Sequence, residues 1–140
     1  MVPEINYLAV IAATLSTMIV GSIWYTPKVF GTLWMRLAKV PPVTGTRAAI
    51  APIIATLIVS FVTAWVLAGS VYISQQFYGG SFLGNAMITG LVLFAGFTAA
   101  RFITHDAFER RPAPLTVLNI THELVTIVIM AFIIGIWPPA

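Results

Sequence analysis

Charged side chains are scarce in this sequence. Only 8% of its 140 residues are charged, whereas 59% are hydrophobic. Soluble domains carry about 25% charged residues, so this chain has too little charge to cover a surface that faces water. An ordinary soluble fold is therefore excluded, and we expect the lipid bilayer to be the solvent and first partner of the chain.

Cysteine is absent, which excludes disulfides, thiolate metal ligands and cysteine nucleophiles. The sequence also lacks a glycine-rich phosphate loop and a nucleophile elbow. We therefore expect no cofactor and no enzyme activity. The net charge of +3 is a topology signal in a membrane protein, so we expect no nucleic-acid partner either.

The apolar runs predict four membrane spans. A spanning helix needs about 20 apolar residues. The spans fall at about residues 7–25, 48–75, 81–101 and 115–136. Glu4 stands where a secretory signal carries basic residues, so we favour an uncleaved first span over a cleaved signal peptide. Trp24 and Tyr25 lie at its end, where an aromatic belt is expected.

The polar segment at residues 28–47 predicts a short amphipathic helix. Its apolar side chains follow one helix face: Phe30, Leu33, Trp34 and Leu37. Arg36 and Lys39 lie off that face. We favour a helix in the membrane interface, and a helix packed beneath the bundle stays open because it would bury the same face. The predicted fold class is all-α: an integral membrane four-helix bundle with this short interfacial helix, in one domain over residues 1–140.

The basic residues predict the topology. All seven lie in the segments after spans one and three: Lys28, Arg36, Lys39, Arg47, Arg101, Arg110 and Arg111. The positive-inside rule then places both segments in the cytoplasm and both termini outside. Arg110 and Arg111, with Arg101, have the chemistry to hold anionic lipid headgroups, but we prefer the interpretation that the basic residues only set topology.

The last span carries an ionisable pair, His122-Glu123, inside an apolar run. Glu123 is eight residues beyond Leu115, about 12 Å deep at 1.5 Å per residue. Asn119 and Thr126 share its side of the helix, so Asn119, His122, Glu123 and Thr126 form one polar sector. Such residues are costly in lipid, and we expect the sector to face the bundle or a partner.

Candidate partners for the polar sector are few. Span two carries Thr56, Ser60 and Thr63 on one stripe, and Arg101 lies at the inner end of span three. In span three, Ala86 and Gly90, and then Gly96 and Ala100, are small residues four apart, a spacing at which helix backbones approach closely.

Three interpretations of the polar sector stay open. We favour a hydrogen-bond network that joins helices or subunits, with an Arg101–Glu123 ion pair in one version. The second is a proton or ion relay, because histidine and glutamate exchange protons. The third is a metal or catalytic site with His105, Asp106 and Glu109. The zinc-protease signature needs a second histidine where Thr126 stands, so we expect no metal site.

Two function hypotheses follow. The first is a non-enzymatic accessory subunit or self-associating membrane protein, in a homo-oligomer or larger complex, joined through polar and small-residue helix faces. The alternative is a small homo-oligomeric proton- or ion-coupled transporter that uses His122 and Glu123.

Several segments resemble the bacterial membrane family called domain of unknown function 1761. They are residues 5–10, residues 21–27 with Phe30-Gly31 and Trp34-Met35, residues 108–112, and Asn119. The run Trp24-Tyr25-x-Pro27-x-x-Phe30-Gly31 is the most specific part. The resemblance implies a four-span protein of the bacterial inner membrane and brings no catalytic residue with it. It also implies an aromatic residue where this chain has His122-Glu123.

The topology is testable with a reporter fused after Ala140. An alkaline phosphatase fusion, which is active only outside the cytoplasm, is expected to be active, because four spans return the chain to its starting side. A green fluorescent protein fusion at the same place should stay dark. Fluorescence without phosphatase activity would reverse the predicted orientation.

Overall fold

The computed structural model describes residues 2–42 and 45–140, which are helical without a strand. The helices are α1 (Tyr7–Trp24), α2 (Gly31–Ala38), α3 (Thr46–Tyr78), α4 (Phe82–Leu93), α5 (Ala100–Phe108) and α6 (Ala113–Ile136). A π-helical segment, Phe94–Ala99, joins α4 to α5 without a break. Four helical stretches are long and apolar enough to cross a membrane, which confirms the predicted fold class.

Asn6 begins α1 and also ties the two ends of the chain together. Its side-chain oxygen accepts hydrogen bonds from the amides of Leu8 and Ala9, at 3.0 and 3.2 Å, as an N-cap does. Its amide nitrogen donates to the carbonyls of Trp137 and Pro138, at 3.3 and 3.4 Å. The first and last spanning helices therefore have their termini at one end of the bundle.

The predicted amphipathic helix is α2. It starts at Gly31, where an added Cβ would lie 2.1 Å from the carbonyl oxygen of Tyr25, so the turn after α1 requires glycine. Arg36 and Lys39 are exposed, and Leu33 and Leu37 are half-buried. The predicted polar segment also contains residues 43–44, which lie outside the described residues.

The third spanning helix is longer than predicted. We expected span three to end near Arg101 and residues 101–114 to form a polar loop. Instead the helix continues to Phe108, and the connection to α6 is only a few residues long. Charge ends a membrane span but not a helix, because helix residues beyond the lipid are solvated by water. Asp106 supports the extension by accepting hydrogen bonds from the Thr116 hydroxyl and the Arg111 amide.

The four spanning stretches form a ring. α1 packs against α3 and α6, and α4 packs against the same two helices from the other side. Buried apolar side chains fill the centre, among them Val10, Leu67, Val71, Met130 and Ile134. This core lies in the half of the bundle that contains the chain termini.

Small residues bring α4 and α6 together. A Cβ on Gly90 would lie 3.0 Å from the Ala131 side chain, and a Cβ on Gly135 would lie 2.7 Å from the Leu83 side chain. The predicted pair Ala86 and Gly90 therefore packs against another helix of the same chain. The second predicted pair differs, because Gly96 and Ala100 are both exposed.

Gly135→Leu should destabilise the bundle because the new side chain has no room beside Leu83. Overpacking of this kind costs about 1–3 kcal/mol, so the thermal unfolding midpoint in detergent should fall. Gly96→Leu is the matched control, since nothing lies within 4 Å of a Cβ built there. Equal midpoints for the two variants would contradict the packing of α4 on α6.

Candidate functional site

A cleft opens in the half of the bundle opposite the core. α3 contacts α1 and α4 through buried residues such as Ala64 and Leu67, whereas residues 51–59 of the same helix are all exposed. The first half of α3 therefore stands apart from α6 and from the π-helical segment. The space enclosed between these elements and α1 has a volume of about 760 Å³.

The cleft brings together most of the predicted site residues. His122, Glu123 and Thr126 line it from α6, and Thr56, Ser60 and Thr63 line it from α3. Both groups were predicted from helical spacing on separate spans, and the fold turns them towards each other. The polar sector thus lies on the wall of a cavity.

Within the pair, His122 lies beside Glu123 and deep in the wall. The His122 Nδ1 atom is 3.2 Å from Glu123 Oε1, and the two side chains are 13% and 38% exposed. Glu123 is ten residues beyond the start of α6 at Ala113, about 15 Å along the helix. The carboxylate therefore meets the cleft well inside the apolar helix, and the imidazole is the more buried of the two side chains.

Aromatic rings from the end of α1 surround His122. Its ring centroid is 5.7 Å from that of Trp24 and 5.0 Å from that of Tyr25. Within the described residues, His122 Nε2 and Trp24 Nε1 are buried without a hydrogen-bond partner. We predicted Trp24 and Tyr25 only as an interfacial belt, because their neighbour across the bundle is 97 or more positions away in sequence.

The threonines on the wall present hydrogen-bond acceptors to the cleft. Each donates its hydroxyl proton to a carbonyl of its own helix: Thr56 to Pro52 at 2.8 Å, Thr63 to Val59 at 3.0 Å, and Thr126 to His122 at 2.9 Å. A hydroxyl has one proton, so what remains for a ligand is the oxygen lone pairs. Across the cleft floor, the Thr17 hydroxyl lies 3.0 Å from that of Ser60.

Thr98 lines the cleft from the π-helical segment, and sequence reasoning missed it. A π turn inserts one extra residue and so shifts the helix phase, and such turns are frequent at functional sites. Periodicity over residues 94–99 carries no signal of this shift.

Two predicted site residues are placed elsewhere. Arg101 is exposed on the continuing helix, and within the described residues no ion pair joins it to Glu123. Asn119 is half-buried and lies outside the cleft lining. The sector predicted to begin at Asn119 therefore meets the cleft only from His122 onward, because α6 passes the end of α1 at that level.

The charged residues near the end of α5 form a separate cluster. The Arg111 guanidinium donates a hydrogen bond to the Glu109 carboxylate and lies 3.9 Å from Asp106. This hydrogen bond raises the pKa of Arg111 above its ordinary value. His105 and Arg110 are exposed. In the part of the chain that the structure describes, no three His, Asp or Glu side chains are grouped as metal ligands.

The basic residues Lys28, Arg36, Lys39, Arg47 and Arg110 are exposed at the end of the bundle opposite the chain termini. Their positions fit either a topology signal or contact with lipid headgroups.

Fold and site together define a small multi-span membrane protein with a polar cleft. The chain belongs to the DUF1761 family, described as a protein of unknown function, whose model matches residues 8–135. The resemblance seen in the sequence is thus confirmed. Neither curated proteins nor solved structures give a match.

Water access to the cleft is testable because the chain has no cysteine of its own. In lipid nanodiscs, Thr56→Cys should react with a trimethylammonium methanethiosulfonate about tenfold faster than Ile58→Cys, since only a thiolate in contact with water is nucleophilic. Ile58 is two residues along α3 and 60% exposed, but outside the cleft. Equal rates would mean that the cleft is filled by lipid.

Proposed function

We propose that this protein is a small proton- or ion-coupled transporter that works as a homo-oligomer and uses His122 and Glu123. One observation carries the proposal: the ionisable pair lines a cleft at membrane depth. A carboxylate in lipid is costly, and such residues mark ion or substrate paths when they face a cavity.

The hydrogen bonds of the His122-Glu123 pair support proton or ion exchange over a structural network that joins helices. In a network that joined helices, the pair would bond to another helix. Among the described residues, the hydrogen bond of Glu123 is to His122 on the same helix, and no bond from either side chain crosses to α1 or α3. Glu123 is therefore free to change partner without loosening the bundle.

The shape of the cleft supports a cycle with two states. The buried core around Leu67, Val71 and Met130 closes the bundle beyond the cleft. A solute that enters the cleft must then be released by a rearrangement of packed helices, as alternating access requires. Four spans enclose little volume, so in this proposal a second copy contributes part of the complete path.

The location belongs to the same proposal. We propose that the half of the bundle with the cleft faces the cytoplasm across a bacterial inner membrane, with both termini outside, because the positive-inside rule assigns basic segments to the cytoplasmic side. This orientation favours export, in which the substrate leaves the cytoplasm while protons enter it.

A second candidate function, a self-associating or accessory membrane protein, has its own support. Gly96 and Ala100 are small, four apart and exposed on one stretch of span three. Such a face lets a neighbouring helix approach closely in lipid. The other small-residue pair is already used between α4 and α6, so this candidate rests on the 96–100 face alone.

Proteoliposomes that carry an imposed pH gradient test the transporter. Addition of Na⁺, K⁺ or a hydrophobic organic cation should collapse the gradient for the wild-type protein, and Glu123→Gln should lower the rate by about tenfold or more by removing the exchangeable charge. Asn119→Ala, on the same helix but outside the cleft, is the control and should keep the wild-type rate.

Native mass measurement of each variant separates the two candidates. An unchanged oligomer with lost flux supports transport. If no added cation collapses the gradient, or if Glu123→Gln dissociates the oligomer, the transporter proposal fails and the accessory function gains support.

A further inference from the structure

We propose that the cleft binds a hydrophobic organic cation, a single positive charge on an apolar body, with the charge held at Glu123. This names the substrate class of the transporter and rests on that proposed function. The inference stands on four properties of the cleft: its charge, its hydrogen-bonding groups, its apolar wall and its access.

The charge of the lining is one-sided. Glu123 supplies the carboxylate, and no lysine or arginine is among the lining residues in the described part of the chain. His122 is the one other charged candidate, and it lies behind the carboxylate with Nδ1 facing Glu123. With a neutral imidazole the wall carries a net negative charge, and with a protonated imidazole it is neutral. A cation and a proton therefore compete for the same carboxylate.

The hydrogen-bonding groups point the same way. The hydroxyl protons of Thr56, Thr63 and Thr126 are taken up by carbonyls of their own helices. Their oxygens remain as acceptors, which favour a cation and oppose an anion. A phosphate or carboxylate ligand would need several donors. These three threonines have no hydroxyl proton to spare, and among the described residues Thr98 is the one lining threonine whose hydroxyl is not bonded to its own helix.

The rest of the wall is apolar and adaptable. Ile53, Val59 and Ile127 form flat aliphatic surface, and Met18 and Met130 add flexible side chains that adjust to different shapes. The Tyr25 ring also lines the cleft, within reach of a cation at Glu123, and aromatic faces attract positive charge. An inorganic ion would gain nothing from this wall, whereas an organic cation would bury its body against it.

The size and opening of the cleft suit such a ligand. A volume of about 760 Å³ lies within the range of roughly 300–1,000 Å³ typical of small-molecule sites. The first half of α3 stands apart from the π-helical segment, and the exposed residues beside this lateral gap are apolar, as at Ile58 and Phe97. A cation dissolved in the membrane interface can enter from there without crossing water.

Tetraphenylphosphonium is the probe for this site. Saturable binding of the labelled cation to the detergent-purified full-length protein is expected, and Glu123→Gln should weaken it by about tenfold or more, since it removes the charge partner of the cation. Glu4→Gln is the matched control, because it removes an exposed carboxylate at the opposite end of the bundle and should leave binding unchanged. Tetraphenylborate has the same shape and the opposite charge, and labelled tetraphenylborate in a separate sample should show no saturable binding.

The outcomes separate this inference from the function on which it rests. Equal binding by Glu123→Gln, saturable binding of tetraphenylborate, or no saturable binding of tetraphenylphosphonium would overturn the ligand class. If a thermal unfolding measurement shows that Glu123→Gln does not fold, Tyr25→Leu takes its place and should weaken binding severalfold. Unchanged binding by Tyr25→Leu would overturn the proposal. Charge-selective binding without gradient collapse keeps the ligand class and refutes transport. Gradient collapse by Na⁺ without tetraphenylphosphonium binding supports transport and refutes the ligand class.

Discussion

The cost of a carboxylate in lipid is the constraint on which the rest of this structure depends. Glu123 has to meet either a partner or a hydrated space. Here the part of α3 before Ser60 stands apart from α6, and Glu123 faces the resulting cleft. The bundle tolerates this separation of α3 from α6 because its opposite half is tightly packed through Leu67 and Met130. One half of the four-helix bundle thus stabilises the fold, and the other half contains the cleft.

The small residues explain how one half can be packed this well. Gly90 and Gly135 let α4 and α6 come close enough that a side chain at either position meets its neighbour. In lipid there is no hydrophobic force between helices, so close van der Waals packing has to hold them together. The π turn at residues 94–99 then changes the phase of span three and directs Thr98 into the cleft.

Sequence reasoning predicted a polar sector, and the structure places only part of it on the wall of the cleft. The spacing of His122, Glu123 and Thr126, and of Thr56, Ser60 and Thr63, predicts the side chains that line the cleft because helical period fixes which residues share a face. Asn119 shares that face, yet it lies outside the cleft because the end of α1 sets the boundary. The Arg101–Glu123 pair was expected from nearness in the predicted topology, whereas the continuing helix leaves Arg101 exposed.

The amino-acid sequence by itself determined the class of the protein: scarce charge and long apolar runs permit only membrane-spanning helices, and the basic residues between them carry the topology signal. Only the tertiary structure decided what the ionisable pair faces. That choice depends on the relative positions of α1, α3 and α6, which come from packing between residues far apart in sequence. Trp24 and Tyr25 beside His122 are the clearest case, because no periodicity within one helix can encode a contact across the bundle.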